Sequence, residues 1–144
     1  MTTRAVHHLA LGAQDVETVA NFYREHFDLT EAARHHQGNA LRSIWLNAGP
    51  MLLMIERSDA SPREVHGVGH GPFLIAFTVA ANERQRLEAR LVQAGHAVEQ
   101  RTAYSSYFRD PEGNRCAISH YPEPSALPAV VAGATAGDAL SNGR

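Results

Sequence analysis

The sequence has a single cysteine, Cys116, among its 144 residues, so an intrachain disulfide is excluded. No apolar stretch approaches the length of a signal-peptide core or a membrane span. Basic residues are also few, since 13 Lys and Arg stand against 15 Asp and Glu for a formal net charge of -2. This balance offers no basic surface for nucleic acid and no polybasic run for a membrane. We therefore expect a soluble, cytoplasmic protein that binds a small molecule or another copy of itself.

The first predicted module covers residues 4–56. Residues 6–12 alternate in the manner of a strand, and Asp15 is a suitable N-cap for an amphipathic helix that runs to about residue 28. Turn signals rich in Gly and Asn separate the elements that follow. Three further strands are predicted at residues 29–36, 40–46 and 51–56. The element order is β-α-β-β-β.

The second predicted module, residues 72–121, repeats this order after a linker at residues 57–71 that has no apolar periodicity. Its helix is expected to begin at a capping pair, Asn82 and Gln85, and to end at Gly95. One sheet of four strands with one helix cannot bury both of its faces, so two modules are expected to join. The predicted class is α+β, with two βαβββ modules forming one curved mixed sheet, or cup, and helices on its outer face.

The expected domain covers residues 1–121, and its last element is a hairpin. The turn Asp110-Pro111-Glu112-Gly113-Asn114 combines a proline that fixes φ, a glycine that allows positive φ, and two side chains that can bond the local backbone. Residues 122–144 are rich in Pro, Ala and Gly and are predicted to be a disordered, low-complexity tail. Within that tail, residues 127–131 are the segment that we expect to dock.

Three stretches of the chain resemble the vicinal-oxygen-chelate superfamily. VHHLALGAQDVETVANFYREHFDL is similar to the family's first strand and helix, GPFLIAFTV to its fifth strand, and YFRDPEGNRCAIS to its last hairpin. The superfamily includes glyoxalase I, methylmalonyl-CoA epimerases, extradiol dioxygenases, fosfomycin-resistance enzymes and bleomycin-binding proteins. The resemblance implies the two-module fold, a homodimer and a small-molecule ligand.

The resemblance also implies a metal site with one ligand on each of the family's strands 1, 4, 5 and 8. The corresponding residues here are His8, Leu53 (or Met54 if the register slips by one), Leu74 and Ala117. Only His8 is a donor, and a divalent metal needs three or four. His7, His120 and Glu56 are expected on the opposite strand faces. No cofactor is therefore expected, and His8 would bind a metal only with relocated ligands.

Strand alternation predicts which side chains line the cavity. His8 and Tyr107 are the candidate catalytic residues, and Trp45 is expected in the core beneath the helix. Arg42 could bind an anionic ligand group or pair with a nearby acid. The candidate ligand-binding residues are His8, Arg42, Ile44, Leu53, Ile55, Leu74, Ala76, Thr78, Ser105, Tyr107, Ala117 and Ser119.

These residues give a mostly apolar lining with a few polar groups, which is typical of a site for a small, partly apolar organic molecule. The predicted function is sequestration of such a molecule or metal-independent chemistry, as in a glyoxalase- or bleomycin-resistance-like protein. A metal-dependent lyase, isomerase or dioxygenase with relocated ligands is the alternative. A third possibility is an enzyme that uses His8 to transfer a proton, with Tyr107. The sequence leaves open whether any reaction is catalysed.

Overall fold

The computed structural model describes residues 1–124, and the chain divides into two compact units between Pro62 and Arg63. Unit 1 contains a four-stranded sheet in the order β1-β4-β3-β2, in which β1 and β4 are parallel and the other neighbours antiparallel. Its elements are β1 (His8–Ala13), α1 (Val16–Phe27), β2 (Thr30–Gln37), β3 (Ala40–Ala48) and β4 (Met51–Arg57).

Helix α1 begins where the sequence indicates, because the Asp15 carboxylate accepts a hydrogen bond from the Thr18 amide at 3.0 Å. It ends at Asp28, which adopts a left-handed φ of 56°. The apolar stripe of α1 packs on β3 and β4, and this interface excludes water. Its fully buried members are Val19, Ala20, Tyr23, Ile44, Leu46, Leu53 and Ile55.

Unit 2 has the same order of elements and its own four-stranded sheet, β5-β8-β7-β6, with β5 parallel to β8. Its elements are β5 (Ile75–Thr78), α2 (Arg84–Gln93), β6 (Gln100–Arg101), β7 (Ser105–Arg109) and β8 (Arg115–Ser119). The α+β class and the repeated βαβββ order are thus confirmed. The strands form two four-stranded sheets where one curved sheet was expected, and within each unit the first strand pairs with the last.

The turn between β7 and β8 has the predicted chemistry. One oxygen of the Asp110 carboxylate accepts the amides of Glu112 at 3.0 Å and Asn114 at 2.9 Å, and the other accepts the Asn114 side chain at 2.9 Å. Gly113 has a φ of 85°, which a residue with a side chain rarely adopts. This turn fixes the register of β8 against β7.

The start of α2 differs from the prediction. The helix begins at Arg84 after Glu83, whose side chain makes no capping hydrogen bond, so the expected cap from Asn82 is wrong. The predicted end at Gly95 is confirmed, since Gly95 has a φ of 94° and its amide donates to the Val92 carbonyl at 3.0 Å. Arg84, the first residue of the helix, has a fully buried side chain that donates hydrogen bonds to the carbonyls of Thr102 and Ser105.

Glu88, one turn after Arg84, is the buried anion of this unit. Burial acts to raise its pKa, but hydrogen bonds from Arg101 at 2.8 Å and from Ser106, with the charges of Arg101 and Arg84, outweigh burial and lower the pKa. A carboxylate with a lowered pKa contributes stability that is complete above its ordinary value near 4.5 and is lost as the pH falls through the folded-state value.

We therefore expect Glu88→Gln to lower the free energy of unfolding at neutral pH by about 1–3 kcal/mol, since a buried charged acceptor is lost. The difference between variant and wild type should narrow as the pH falls below 4.5, the ordinary value. Urea denaturation of both proteins from neutral to acid pH measures this. A difference that stays constant over the whole range would contradict the role assigned to the Glu88 charge.

Two further points concern the C-terminal tail and the possibility of a membrane-spanning helix. The predicted docking of residues 127–131 lies outside the described residues. Between residues 1 and 124, no helix is long and apolar enough to cross a membrane.

Candidate functional site

The face of the unit 1 sheet opposite α1 carries His8. Residues paired across neighbouring strands share a face, and β1 pairs His8 with Leu52 and Ala10 with Met54. Trp45 of β3 pairs with Met54 in turn. We call this the His8 face; its members are His8, Ala10, Ala33, His35, Ser43, Trp45, Asn47, Leu52, Met54 and Glu56.

The predicted face of three apolar residues in unit 1 is wrong. Ile44, Leu53 and Ile55 lie on the helix side of the sheet with Leu9 and Leu11, and all three are fully buried there. The run Leu52–Ile55 is apolar at every position, so alternation could not determine which of its residues face α1.

Trp45 was expected in the core but lies on the His8 face, half-buried. Its ring centroid is 5.1 Å from that of His8 and 6.3 Å from that of His35. The opposite side of the sheet is identified independently by Arg34, which pairs with Ile44 and donates to Glu17 of α1 at 2.5 Å. The indole is thus flanked by two imidazoles on the face that α1 leaves uncovered.

His7 also reaches His8, with 2.8 Å between the two Nδ1 atoms and rings that meet edge to face at 5.1 Å. When both rings are neutral, one Nδ1 donates and the other accepts. His7 was expected on the opposite face, but it precedes the first residue of β1, so strand alternation does not direct its side chain.

The Arg42 side chain is exposed and its Nη2 lies 3.3 Å from Oε1 of Glu56. Of the two interpretations left open for Arg42, the structure therefore favours pairing with a nearby acid. The Glu56 carboxylate lies on the His8 face, since Glu56 pairs with Ser43 and Gly12 in the sheet. Its ion pair with Arg42 therefore occupies the only carboxylate among the members of that face.

In unit 2, the face opposite α2 carries Ala117. Ala117 pairs with Ala76 of β5 and with Tyr107 of β7, while Ser119 pairs with Thr78 and Ser105. We call this the Ala117 face; its members are Ala76, Thr78, Ser105, Tyr107, Arg109, Arg115, Ala117 and Ser119. All candidate residues predicted within the strands of unit 2 lie on it. Leu74 precedes β5 and is half-buried.

Polar groups lie at the two ends of the Ala117 face. At one end the Ser105 hydroxyl donates to the Ser119 hydroxyl at 2.8 Å. At the other, the Arg115 guanidinium lies over the Tyr107 ring, 4.6 Å from its centroid, and donates to Gln100 Oε1 at 2.9 Å. Between these ends, Ala76 is exposed, whereas Ala117 is buried.

Cys116 and His120 do not contribute to the Ala117 face. Cys116 lies on the α2 side, and burial raises the pKa of its thiol, so it is no nucleophile. His120 is also buried, with Nε2 accepting from Nη1 of Arg84 at 3.2 Å. Its Nδ1 therefore carries the proton, which it donates to the Glu123 carbonyl.

The donors do not fit a divalent metal. Within residues 1–124, no three His, Cys, Asp or Glu side chains converge as a metal-binding group. On β4, the residues that share the face of His8 are Leu52, Met54 and Glu56, and the carboxylate of Glu56 is paired with Arg42. Ala117 offers no donor. A resident ion needs three or four nitrogen, oxygen or sulfur ligands, and these side chains do not supply that number at one place.

Sequence reasoning did not assign His35 or Arg115 to these faces, and it placed Trp45 in the core. Met54 was considered only as the alternative to Leu53, because the strand register of unit 1 was not fixed. Arg115 had a usable signal, because it precedes Ala117 by two residues and must share its face.

Comparison with known proteins identifies one family and many solved structures that have a similar fold. Residues 5–118 match the family model of the Glyoxalase/Bleomycin resistance protein/Dioxygenase superfamily. No curated protein shows significant similarity to the chain.

Three solved structures illustrate the shared fold. A lactoylglutathione lyase from Agrobacterium tumefaciens is 22% identical, with 84% of this chain and 96% of that chain covered and a TM-score of 0.64. A glyoxalase family protein from Enterococcus faecalis is 23% identical, with 83% and 100% covered and a TM-score of 0.67. The fosfomycin resistance protein FosX from Listeria monocytogenes is 17% identical, with 83% and 93% covered and a TM-score of 0.68. At these identities the similarity establishes the fold alone.

Proposed function

This chain belongs to the Glyoxalase/Bleomycin resistance protein/Dioxygenase superfamily, and from that premise we propose that it binds a small, partly apolar organic molecule without a resident metal. Sequestration of the molecule or a metal-independent reaction would follow from such binding. The observation that carries the proposal is the His8–Trp45 contact, 5.1 Å between ring centroids, on a sheet face with apolar side chains where metal ligands would be needed.

The His8 face suits a flat apolar ligand. Trp45, Met54 and Leu52 provide polarisable apolar surface, and the imidazoles of His8 and His35 provide sparse hydrogen-bonding groups beside it. Aromatic side chains with a few polar groups are the usual composition of sites that bind aromatic or alicyclic molecules. We assign Ile44, Leu53 and Ile55 to the core beneath α1 and not to this surface.

The Ala117 face is proposed as a second binding surface, with Leu74, Ala76, Thr78, Ser105, Tyr107, Ala117 and Ser119 as its candidate contacts. The exposed Ala76 has a small side chain that leaves space, and the hydroxyls of Ser105 and Ser119 provide polar contacts at one end. If a reaction is catalysed, His8 is the candidate for proton transfer, because a neutral imidazole carries both a donor and an acceptor. Tyr107 is the candidate hydroxyl of unit 2.

A metal-dependent reaction is the alternative, and one observation favours it. The Nδ1 atoms of His7 and His8 lie 2.8 Å apart, so two imidazole nitrogens could bind one ion if further ligands joined them. FosX from Listeria monocytogenes, which has a similar fold, has been crystallised with Mn(II). We also propose, from the family, that the chain forms a homodimer, which sedimentation velocity would measure.

The first test is the metal content of tag-free protein, as purified and after soaking with Mn²⁺, Fe²⁺, Ni²⁺ and Zn²⁺ followed by desalting. We expect well below one equivalent of any metal. His8→Ala should not change that content, and His66→Ala, which alters an exposed histidine in the linker, is the matched control. Near-stoichiometric metal that disappears only with His8→Ala would overturn the proposal and favour the metal-dependent alternative.

The same samples allow ligand binding to be followed, because Trp45 is the only tryptophan and lies on the His8 face. A panel of neutral and charged aromatic and alicyclic compounds is titrated against Trp45 fluorescence. Saturable changes that weaken in His8→Ala and persist in His66→Ala are the expected result. A panel that produces no saturable change in the wild-type protein would argue against binding at this face.

A further inference from the structure

We propose that Arg115 binds an anionic group, so that the Ala117 face takes up a small organic anion such as an aromatic or alicyclic carboxylate. This inference rests on the proposed function, because it names the class of ligand for one of the two faces. The sequence resemblance and the comparisons assign no role to Arg115. Its place on the face follows from the sheet register, in which it pairs with Arg109 and lies two residues before Ala117.

The surroundings of Arg115 leave part of its guanidinium without an acceptor. Its side chain is 11% exposed, lies over the Tyr107 ring and donates from Nη2 to Gln100. Its Nε is buried and has no hydrogen-bond acceptor among the described residues. A buried cationic donor normally has a full set of partners, because an unmade hydrogen bond there is costly. An anion from outside the chain would provide the missing acceptor.

Glu99 is the carboxylate that forms an ion pair with Arg115, and it does not fill this role. Its Oε2 lies 3.6 Å from Nε of Arg115, beyond hydrogen-bonding distance, and its Oε1 accepts from Nε of Arg109 at 3.0 Å. The Glu99 side chain is 42% exposed, so water screens its charge. One half-exposed carboxylate is thus shared by two guanidinium groups, which leaves Arg115 able to attract a second anion.

The rest of the face indicates what the anion would be attached to. Ser119 lies four residues beyond Arg115 on the same side of β8, about 13 Å along the strand. Its Oγ accepts from Ser105 Oγ at 2.8 Å and from the Tyr121 amide at 3.3 Å, so its own hydroxyl proton is left to donate. Between the two, Ala117 is buried next to Tyr107, and Ala76 beside it is exposed. A ring against the exposed Ala76, with a carboxylate at the Arg115 end and a hydrogen-bond acceptor at the Ser119 end, matches this arrangement.

The test compares para-acetylbenzoate with para-acetylbenzamide, which have the same ring and acetyl carbonyl but differ in charge. Isothermal titration calorimetry on the full-length protein measures both dissociation constants. We expect the carboxylate to bind about tenfold or more tightly than the amide, because charge-assisted hydrogen bonds are roughly twice as strong as neutral ones. Arg115→Gln should remove this preference while amide binding stays within a few-fold.

Glu99→Gln should change the preference for the carboxylate in the opposite direction. This second variant shows whether the loss in Arg115→Gln is more than a folding defect. Without the competing carboxylate, the preference for para-acetylbenzoate should increase by a few-fold. Arg86→Gln, which alters an arginine of α2 whose side chain is 79% exposed, should leave both constants unchanged.

The possible failures are distinguishable. If both compounds bind the wild type equally, or if the preference survives in Arg115→Gln, the anion site is overturned while the proposed small-molecule binding stands. If neither compound binds, the inference is overturned, and Trp45 titrations with neutral compounds decide separately on the proposed function. A preference that is lost in Arg115→Gln and strengthened in Glu99→Gln supports the assignment.

Discussion

Replacing Arg84 with methionine is expected to lower the free energy of unfolding by about 3–5 kcal/mol, the cost of removing one partner from a buried charged network. The Arg84 side chain is fully buried and donates to the carbonyls of Thr102, Ala103 and Ser105 at 3.0, 3.1 and 2.7 Å. It also donates to Ser106 Oγ at 2.8 Å, and its Nε lies 3.6 Å from Glu88.

Methionine fills much of the same volume but donates no hydrogen bond. The three carbonyls, His120 and the Glu88 carboxylate would each lose a donor or a nearby cation inside the protein. Urea denaturation of the variant and the wild type measures the loss. The connection between β6 and β7 is the segment that should loosen first, because Arg84 is its main link to α2.

Arg86→Met is the matched control, since Arg86 lies on the same helix with its side chain 79% exposed. Its pair with Glu83 is a surface ion pair, so the expected change is within about 0.5 kcal/mol. If Arg84→Met were as stable as Arg86→Met, the guanidinium would contribute nothing to unit 2 and the described hydrogen bonds would be irrelevant to its stability.

The parts of the fold that the sequence predicted are those with local chemistry. Asp15 caps α1, Gly95 ends α2, and the Asp110–Asn114 turn closes the last hairpin, because each depends on residues within a few positions of one another. In unit 2 the strand faces followed directly, since the turn fixes the pairing of β7 with β8 and the strands alternate clearly.

The parts that could not be predicted depend on long-range pairing. The face of β4 is set by its parallel pairing with β1, which lies about forty residues earlier and shares no turn with it. Arg84 was missed for a related reason: an arginine near a helix start normally lies in solvent. Only the carbonyls of residues 102, 103 and 105, brought to it by the folded chain, make its burial favourable.

Leu53 and Met54 provide the direct test of the corrected face, because they are adjacent on β4 and their side chains point to opposite sides of the sheet. Leu53 is fully buried beneath α1, so Leu53→Ala should lower the free energy of unfolding by about 2–5 kcal/mol through lost burial and an unfilled cavity. Met54 is half-buried on the His8 face and pairs with Trp45 and Ala10. Met54→Ala should therefore cost less than about 2 kcal/mol, below the range for fully buried positions.

Ligand affinity should change in the reverse order, with Met54→Ala weakened more than Leu53→Ala. Compounds that change Trp45 fluorescence in the wild type should bind Met54→Ala several-fold more weakly, since their contact surface beside the indole is lost. Folded Leu53→Ala should bind them as the wild type does, because Leu53 faces α1. The combination separates the two sides of the sheet without any knowledge of the natural ligand. If Met54→Ala were the more destabilised variant and Leu53→Ala the one with weakened binding, the parity first predicted for this strand would be right and the His8 face would have to be redrawn.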